Sequence, residues 1–378
     1  MRLVKIGIAL SAALVAATYL PLQPLFSALS EKVSANSAVA SGPISIDPKA
    51  APAKLISQYN LFKDPAKQIP NDGLVPYDLN TPLFSDYTEK HRFIYVPAGT
   101  SAKYDDKEVL DFPVGTCIVK TFGYLNDIRD ASKGEKILET RLLIRKPDGW
   151  VGLPYRWNAD MSDAKLAVAG GREEVSWIHY DGQKRTLNYI IPNMNQCKQC
   201  HENNKVMQPV GPKARHMNKD HAYDGGVENQ LAHLAKIGYL SGLPEDIASV
   251  PRLPNAFDPA SGSLDERARA YLDINCAHCH NPKGPAFVSG LDLSYFQHEP
   301  GRLGIMKPPV AAGRGAGNFK VGILPGKPDE SILVYRLEST DPGVMMPQLP
   351  RQLVHDEGLA LVKEWIAAMP PHVPASGS

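Results

Sequence analysis

The 378-residue chain has only five cysteines and no surplus of charge, with 41 Lys and Arg against 40 Asp and Glu. There is no basic run either, so the composition offers nothing to a nucleic-acid backbone, and any charged docking patch has to be local. A nucleophile elbow, a P-loop and a dinucleotide-type glycine pattern are also missing, which removes the commonest sequence signatures of hydrolases and nucleotide-dependent enzymes. The acidic pairs Asp105-Asp106 and Glu173-Glu174 are adjacent rather than facing, so they read as turn or solvated charges. No apolar run reaches the roughly 20 residues of a membrane-spanning helix. Residues 6–20 are almost wholly apolar, but Pro21 and Pro24 end the run.

Two copies of one motif stand out. Cys197-Lys198-Gln199-Cys200-His201 and Cys276-Ala277-His278-Cys279-His280 take up four of the five cysteines, in the C-x-x-C-H spacing that attaches a c-type haem. Two thiols on one turn add to two porphyrin vinyl groups, and the adjacent imidazole reaches the iron as proximal ligand. The expected cofactors are two covalently attached haem c groups, anchored by Cys197, Cys200, Cys276 and Cys279, with His201 and His280 on the iron. Zinc fits poorly, because the paired half-sites of a zinc site usually lie roughly 12–20 residues apart, far less than the stretch from Cys200 to Cys276. A thioredoxin-like pair has no use for the following histidine. His278 reads as a spacer, and Cys117, alone in an apolar run, as a buried inert thiol.

Haem attachment of this kind takes place outside the cytoplasm, and the N-terminus agrees with it. Arg2 and Lys5 precede the apolar run as in a secretory signal, and Val33-Ser34-Ala35 offers a small-x-small cleavage site. Residues 1–35 are read as a signal peptide, with a retained N-terminal anchor as the alternative. No cysteine follows the run to carry a lipid. The expected location is the periplasm, at the membrane only if the anchor is kept.

Composition then divides the chain. Residues 36–54 are rich in Ser, Ala and Pro and read as a flexible leader. Residues 55–192 form a β-rich domain, with strands expected at 91–96, 117–124, 137–145 and 149–157 and Asp-Gly turns at Asp148-Gly149 and Asp181-Gly182. A first haem c unit covers 193–255, where residues 228–240 place Leu231, Leu234 and Ala235 on one helical face. A second unit covers 256–370, and 371–378 is a tail. In the second unit Ser263 and Glu266 make a capping box for the helix that delivers Cys276. Leu359, Val362, Ile366 and Met369 repeat at helical spacing before Pro370. The expected fold class is α+β, an N-terminal β-rich domain followed by two haem-binding helical cytochrome c-type units.

Residues 263–370 resemble a class I cytochrome c domain, through Cys276 to His280, Gly326-Lys327-Pro328-Asp329-Glu330-Ser331, Met346-Pro347 and the helix with Trp365. In that family the methionine before proline is the sixth iron ligand, which implies His280/Met346 coordination, with Met345 as competitor. The whole exported chain also resembles a family of bacterial dihaem c-type cytochromes. That likeness runs through Val75-Pro76-Tyr77-Asp78-Leu79-Asn80-Thr81-Pro82-Leu83-Phe84-Ser85-Asp86, Phe112-Pro113-Val114-Gly115-Thr116, Glu139-Thr140-Arg141 and Tyr155-Arg156-Trp157-Asn158. The N-terminal two-thirds is similar to haem-bearing regions fused to quinoprotein sugar dehydrogenases, which implies an electron-transfer partnership. For the first haem, Met217, Met207, His216 and His221 stay open as sixth ligand, beside His91, His179 or none.

Three functions compete at this stage. The leading expectation is an electron carrier between a periplasmic donor, such as a dehydrogenase, and a downstream acceptor, with redox partner proteins and no nucleic acid. The second is a dihaem redox enzyme, peroxidase-like, with an open His201 haem. The third is a haem-bearing binding module in which Trp150, Tyr155, Trp157 and Trp177 form a stacking platform.

Overall fold

The computed structural model describes residues 42–310, 312–348 and 350–371. The chain divides into Met1–Asn36 and Ser37–Ser378, and everything described belongs to the second unit. The expected signal or anchor lies outside the described residues, as do residues 372–378 of the tail. Among the described residues no helix is long and apolar enough to cross a membrane.

The centre is a six-stranded antiparallel sheet in which each strand neighbours the next in sequence: β1 (Val75–Pro76), β2 (Glu89–Tyr95), β3 (Cys117–Leu125), β4 (Glu135–Lys146), β5 (Gly149–Trp157) and β6 (Ala164–Leu166). The turn at Asp148 closes β4 on β5, with Lys146 opposite Gly149. A second hairpin, β7 (Gly171–Ile178) and β8 (Lys184–Ile191), turns at Asp181-Gly182 and pairs Val175 with Leu187. Alternation assigns each strand residue to a face. Phe93, Val119, Leu142, Leu153 and Tyr155 point into one core with Ile56, Tyr59 and Trp157. Ile94 and Ile118 point the other way, into a core with Tyr77, Leu79, Met217 and Leu231.

Residues 42–54 correct the expectation of a flexible leader. Ile44, Ile46 and Ala53 pack on the first core. The Ser45 amide donates to the Tyr59 carbonyl at 3.0 Å and the Tyr155 hydroxyl to the Ala53 carbonyl at 2.8 Å. Half-buried residues alternate with exposed ones from Gly42 to Pro48, a strand-like period hidden by the Ser/Pro/Ala composition.

The expected fold class is also corrected. Among the described residues the protein is a mainly β-sheet body carrying seven α-helices, and two helical cytochrome units are not evident in them. After β8 come α1 (Met194–His201), the hairpin β9 (Glu202–Asn203) and β10 (Val206–Met207), α2 (Ala214–Met217), the hairpin β11 (Asp220–Tyr223) and β12 (Gly226–Asn229), and α3 (Gln230–Lys236). These helices are too short for a core of their own. Met217, Leu231 and Leu234 are instead buried against the sheet. The expected helix over 228–240 shortens to α3 because Glu228 is taken into β12.

Further along, α4 (Leu264–Asn275) and α7 (Asp356–Ala368) pack together around Tyr271, Leu272, Val362 and Trp365, and after the short α5 (Pro300–Leu303), α6 (Ile332–Glu338) adds Val334 and Leu337 to the same core. A Cβ on Gly358 would run into the Tyr271 ring, so α7 can lie this close to α4 only with glycine there. The stretch between α4 and α6 is largely turns and irregular chain. Side chains from residues 80–86 bind this part to the sheet: Asn80 Nδ2 donates to the Leu253 carbonyl, Thr81 Oγ1 to that of Pro254, and Asp86 accepts from the amides of Gln352 and Leu353.

Candidate functional site

The first motif forms the end of α1. Asn193 caps that helix, its Oδ1 accepting from the Gln196 amide at 2.9 Å while Gln196 Oε1 accepts from the Asn193 amide at 2.9 Å. Cys197, Cys200 and His201 are thereby gathered within two helical turns. The β9–β10 hairpin folds back, and the Gln208 carbonyl lies 2.8 Å from His201 Nδ1. A carbonyl on Nδ1 fixes the ring and leaves Nε2 for a metal. Burial, with Lys120 nearby, lowers the His201 pKa to about 4, so the imidazole is neutral as a ligand requires. Cys197 packs on β5 at Gly152. A Cβ there would come within 2.7 Å of Met207 Cε and 3.0 Å of Cys197 Cβ, so glycine is needed for close approach.

Cys197 and His201 line a cavity with about 650 Å³ of atom-free space, part of it open to solvent. Its floor is the sheet, presenting Arg92, Ile118, Lys120, Arg141 and Leu143, and its lid includes residues 209–212 and Ile274 of α4. Donor chemistry and the apolar and cationic lining fit a haem at this motif.

The second motif follows α4, which Ser263 and Glu266 cap reciprocally as their spacing predicts. Cys276 ends the helix, and the chain makes one more turn, with the His280 amide donating to the Cys276 carbonyl at 2.9 Å. Ser289 Oγ donates to the Ala286 carbonyl at 2.7 Å, and so accepts from His280 Nδ1 at 3.1 Å. His280 is oriented like His201, with Nε2 unengaged, and burial lowers its pKa to about 4. Burial also pushes the Cys276 thiol up to about 12.

Sequence spacing did not foretell that the two motifs meet. Cys279 Sγ is 3.8 Å from the Gln199 carbonyl oxygen, which brings the second motif against the turn between Cys197 and Cys200. The Asn204 amide donates to the Lys283 carbonyl at 2.6 Å, joining the loops that follow the two motifs. Deeper in, Asp273 of α4 accepts from Arg215 Nε at 3.0 Å and Nη2 at 3.1 Å and bonds His216 Nε2 at 2.7 Å, all three side chains being buried. This cluster fastens α2 to α4 and so holds one motif relative to the other.

The candidate sixth ligands are scattered. Met217 is fully buried in the second core and His216 is engaged by Asp273. His221 lies edge-on to Tyr223 with ring centroids 4.9 Å apart, in the β11–β12 hairpin. His91 bonds Glu135 at 2.8 Å, and His179 accepts from Trp177 Nε1 at 3.3 Å. Of these candidates only Met207 is beside a motif, against Cys197. Near the second motif Met345 is buried, whereas Met346 is half-buried with its amide on the Arg336 carbonyl at 2.9 Å. The four aromatics of the proposed platform do not face solvent together: Tyr155, Trp157 and Trp177 are buried, and Trp150 packs edge-on to Phe112. Cys117 is buried, and desolvation pushes its thiol up.

Sequence reasoning missed Arg92, Lys120, Arg141, Asp273, Gln208 and Ser289. A period-two count along β2, β3 and β4 would have put the first three on one face, but only the register shows them opposed. Among the described residues no three His, Cys, Asp or Glu side chains converge on a bare metal site. A search of protein families, of curated proteins and of solved structures found no match to this chain.

Proposed function

We propose that this chain is an exported dihaem c-type cytochrome that carries electrons from a periplasmic donor protein to a downstream acceptor. The observation that carries the proposal is the meeting of two C-x-x-C-H motifs where Cys279 Sγ approaches the Gln199 carbonyl, each motif with its histidine held through Nδ1 and free at Nε2. Haem supplies one-electron chemistry at a potential set by axial ligand, burial and hydrogen bonding. The residues do the rest. Gln208 and Ser289 fix the imidazoles, the sheet and residues 209–212 keep water from one face of the first site, and Asp273 with Arg215 and His216 holds the motifs in register. The approach of Cys279 to the Gln199 carbonyl of the other motif would give an electron a short way between the two groups. His280/Met346 coordination belongs to the proposal and rests on the resemblance of residues 263–370 to a class I cytochrome c domain; Arg336, which bonds the Val344 carbonyl at 2.9 Å, fixes the chain just before Met346.

The test is spectroelectrochemistry of export-matured protein. Two one-electron steps per chain are expected. A single step from a protein carrying two haems rules the proposal out.

One observation favours the peroxidase-like reading as a second possibility to test. Among the described residues, the cavity lining holds no histidine or methionine besides His201. Carbon monoxide added to the reduced protein distinguishes the two, since an open His201 iron binds it and changes the visible spectrum, while a carrier with both irons closed does not respond.

A further inference from the structure

Arg92, Lys120 and Arg141 stand directly opposite one another on three neighbouring strands: Arg92 is in register with Lys120, and Lys120 with Arg141. Like charges opposed across strands destabilise a sheet. This row of three faces the cavity that also holds Cys197 and His201. Its counter-charges are too few. Arg92 donates to Asp78 at 2.9 Å, but Asp78 also takes Lys219 at 3.1 Å. Arg141 is bound to buried Glu139, with Nε donating at 3.0 Å. Lys120 has no hydrogen-bonding or carboxylate partner among the described residues, and its Nζ lies 5.0 Å from the Phe122 ring centroid. An unpaired, half-buried cation between two guanidinium groups is costly, and an anion in the cavity lowers the cost.

We propose that this row is a carboxylate clamp for the two propionates of the porphyrin anchored at Cys197 and Cys200. The proposal rests on the haem reading above and gives the β-sheet a function that reading lacks. A guanidinium has five N–H donors, and the carboxylates already bound to Arg92 and Arg141 leave some of them unused. Lys120 adds an ammonium with three more. Two propionates bring two negative charges, which makes up the deficit around the row.

The test compares wild type, Lys120→Gln and Lys120→Arg as export-matured proteins, counting haem first and then measuring both midpoint potentials. Losing a cation beside a haem carboxylate favours the ferric state. In Lys120→Gln one midpoint therefore falls while the other stays, with two haems still bound, and Lys120→Arg restores the first. Two haems with both potentials unchanged in Lys120→Gln overturn the clamp and leave the dihaem reading standing. A change of spin state at one haem places Lys120 on iron and also overturns it. A chain without haem sinks both proposals. Because a central-strand variant can fail to accumulate, Lys120→Met provides a second substitution. The carboxylate stretching bands of the wild-type haem protein, shifted when ion-paired, read the contact with no substitution at all.

Discussion

Asp273→Asn is the substitution that most directly tests how the two motifs are held in register. The Asp273 carboxylate is fully buried and receives Arg215 Nε at 3.0 Å, Arg215 Nη2 at 3.1 Å, His216 at 2.7 Å and the Tyr295 amide at 2.9 Å. Asparagine keeps one acceptor oxygen but turns an amide N–H₂ toward two of these donors, and it leaves the Arg215 guanidinium buried without its counter-charge. Hydrogen bonds to charged groups contribute about 1.5–3 kcal/mol each, and breaking a buried pair from one side costs about 3–5 kcal/mol. The two routes agree, so a loss of about 3–5 kcal/mol is expected in urea unfolding at pH 7, read as a lower midpoint with an unchanged slope.

Asp181→Asn is the control. Its partner Arg185 is 2.6 Å away, but both side chains are 46% exposed, and such a pair is worth about 0–1 kcal/mol. The interactions around Asp273 hold its pKa well below the usual carboxylate range. Its stabilisation is therefore complete above about pH 4 and is lost only as pH falls through the low folded value. The gap between wild type and variant should persist to pH 4 and narrow below it. A loss under about 1 kcal/mol at pH 7, where a broken buried pair should cost several times more, would refute this account of Asp273.

Three further outcomes are expected. Gly152→Val pushes on Met207 and Cys197 at a contact where even a Cβ is too near; overpacking costs about 1–3 kcal/mol, and haem counting should show partial loss of one group, whereas full loading with unchanged stability contradicts the close approach. His355 stacks on Phe84 at 4.1 Å, and burial, with Lys90 and Arg351 nearby, lowers its pKa to about 3. The unfolded imidazole takes its proton near 6.5, so stability is full above that pH and falls as pH drops toward the folded value. About 2 kcal/mol should be gone by pH 5, and thermal unfolding of His355→Gln should show a flatter profile between pH 7 and 5. Trp157→Ala removes a buried ring whose Nε1 donates to Thr140 at 2.9 Å; a core role predicts a loss of about 3–5 kcal/mol in denaturant titration, and a solvent-facing platform predicts almost none.

Local chemistry was legible in the chain, and long-range placement was not. The strand runs and the Asp-Gly turns appear where alternation and turn residues put them, with β5 spanning the expected residues 149–157. The Ser263–Glu266 box and α7 likewise follow from spacing within a few residues. What failed concerned partners far apart in sequence. The short helices after Pro192 read as a unit too small for its own core that packs on the β domain, and Met217, Leu231 and Leu234 do gain their burial with Ile94 and Ile118 of the sheet, partners that no spacing announces. The two C-x-x-C-H motifs stand out in the sequence because their spacing is local. Their meeting at Gln199 and Cys279 depends on Asp273 and on the bonds from residues 80–86, and none of these has a sequence signature. Lys120 looked like an ordinary strand lysine until register set it between Arg92 and Arg141.

The most direct measurement is a count of free thiols, under denaturing conditions, in chain matured through an export and haem-attachment system. Thioether formation at both motifs uses Cys197, Cys200, Cys276 and Cys279, so only Cys117 of the five cysteines should react, with two haems per chain by absorbance. Five reactive thiols and no bound haem would contradict the account.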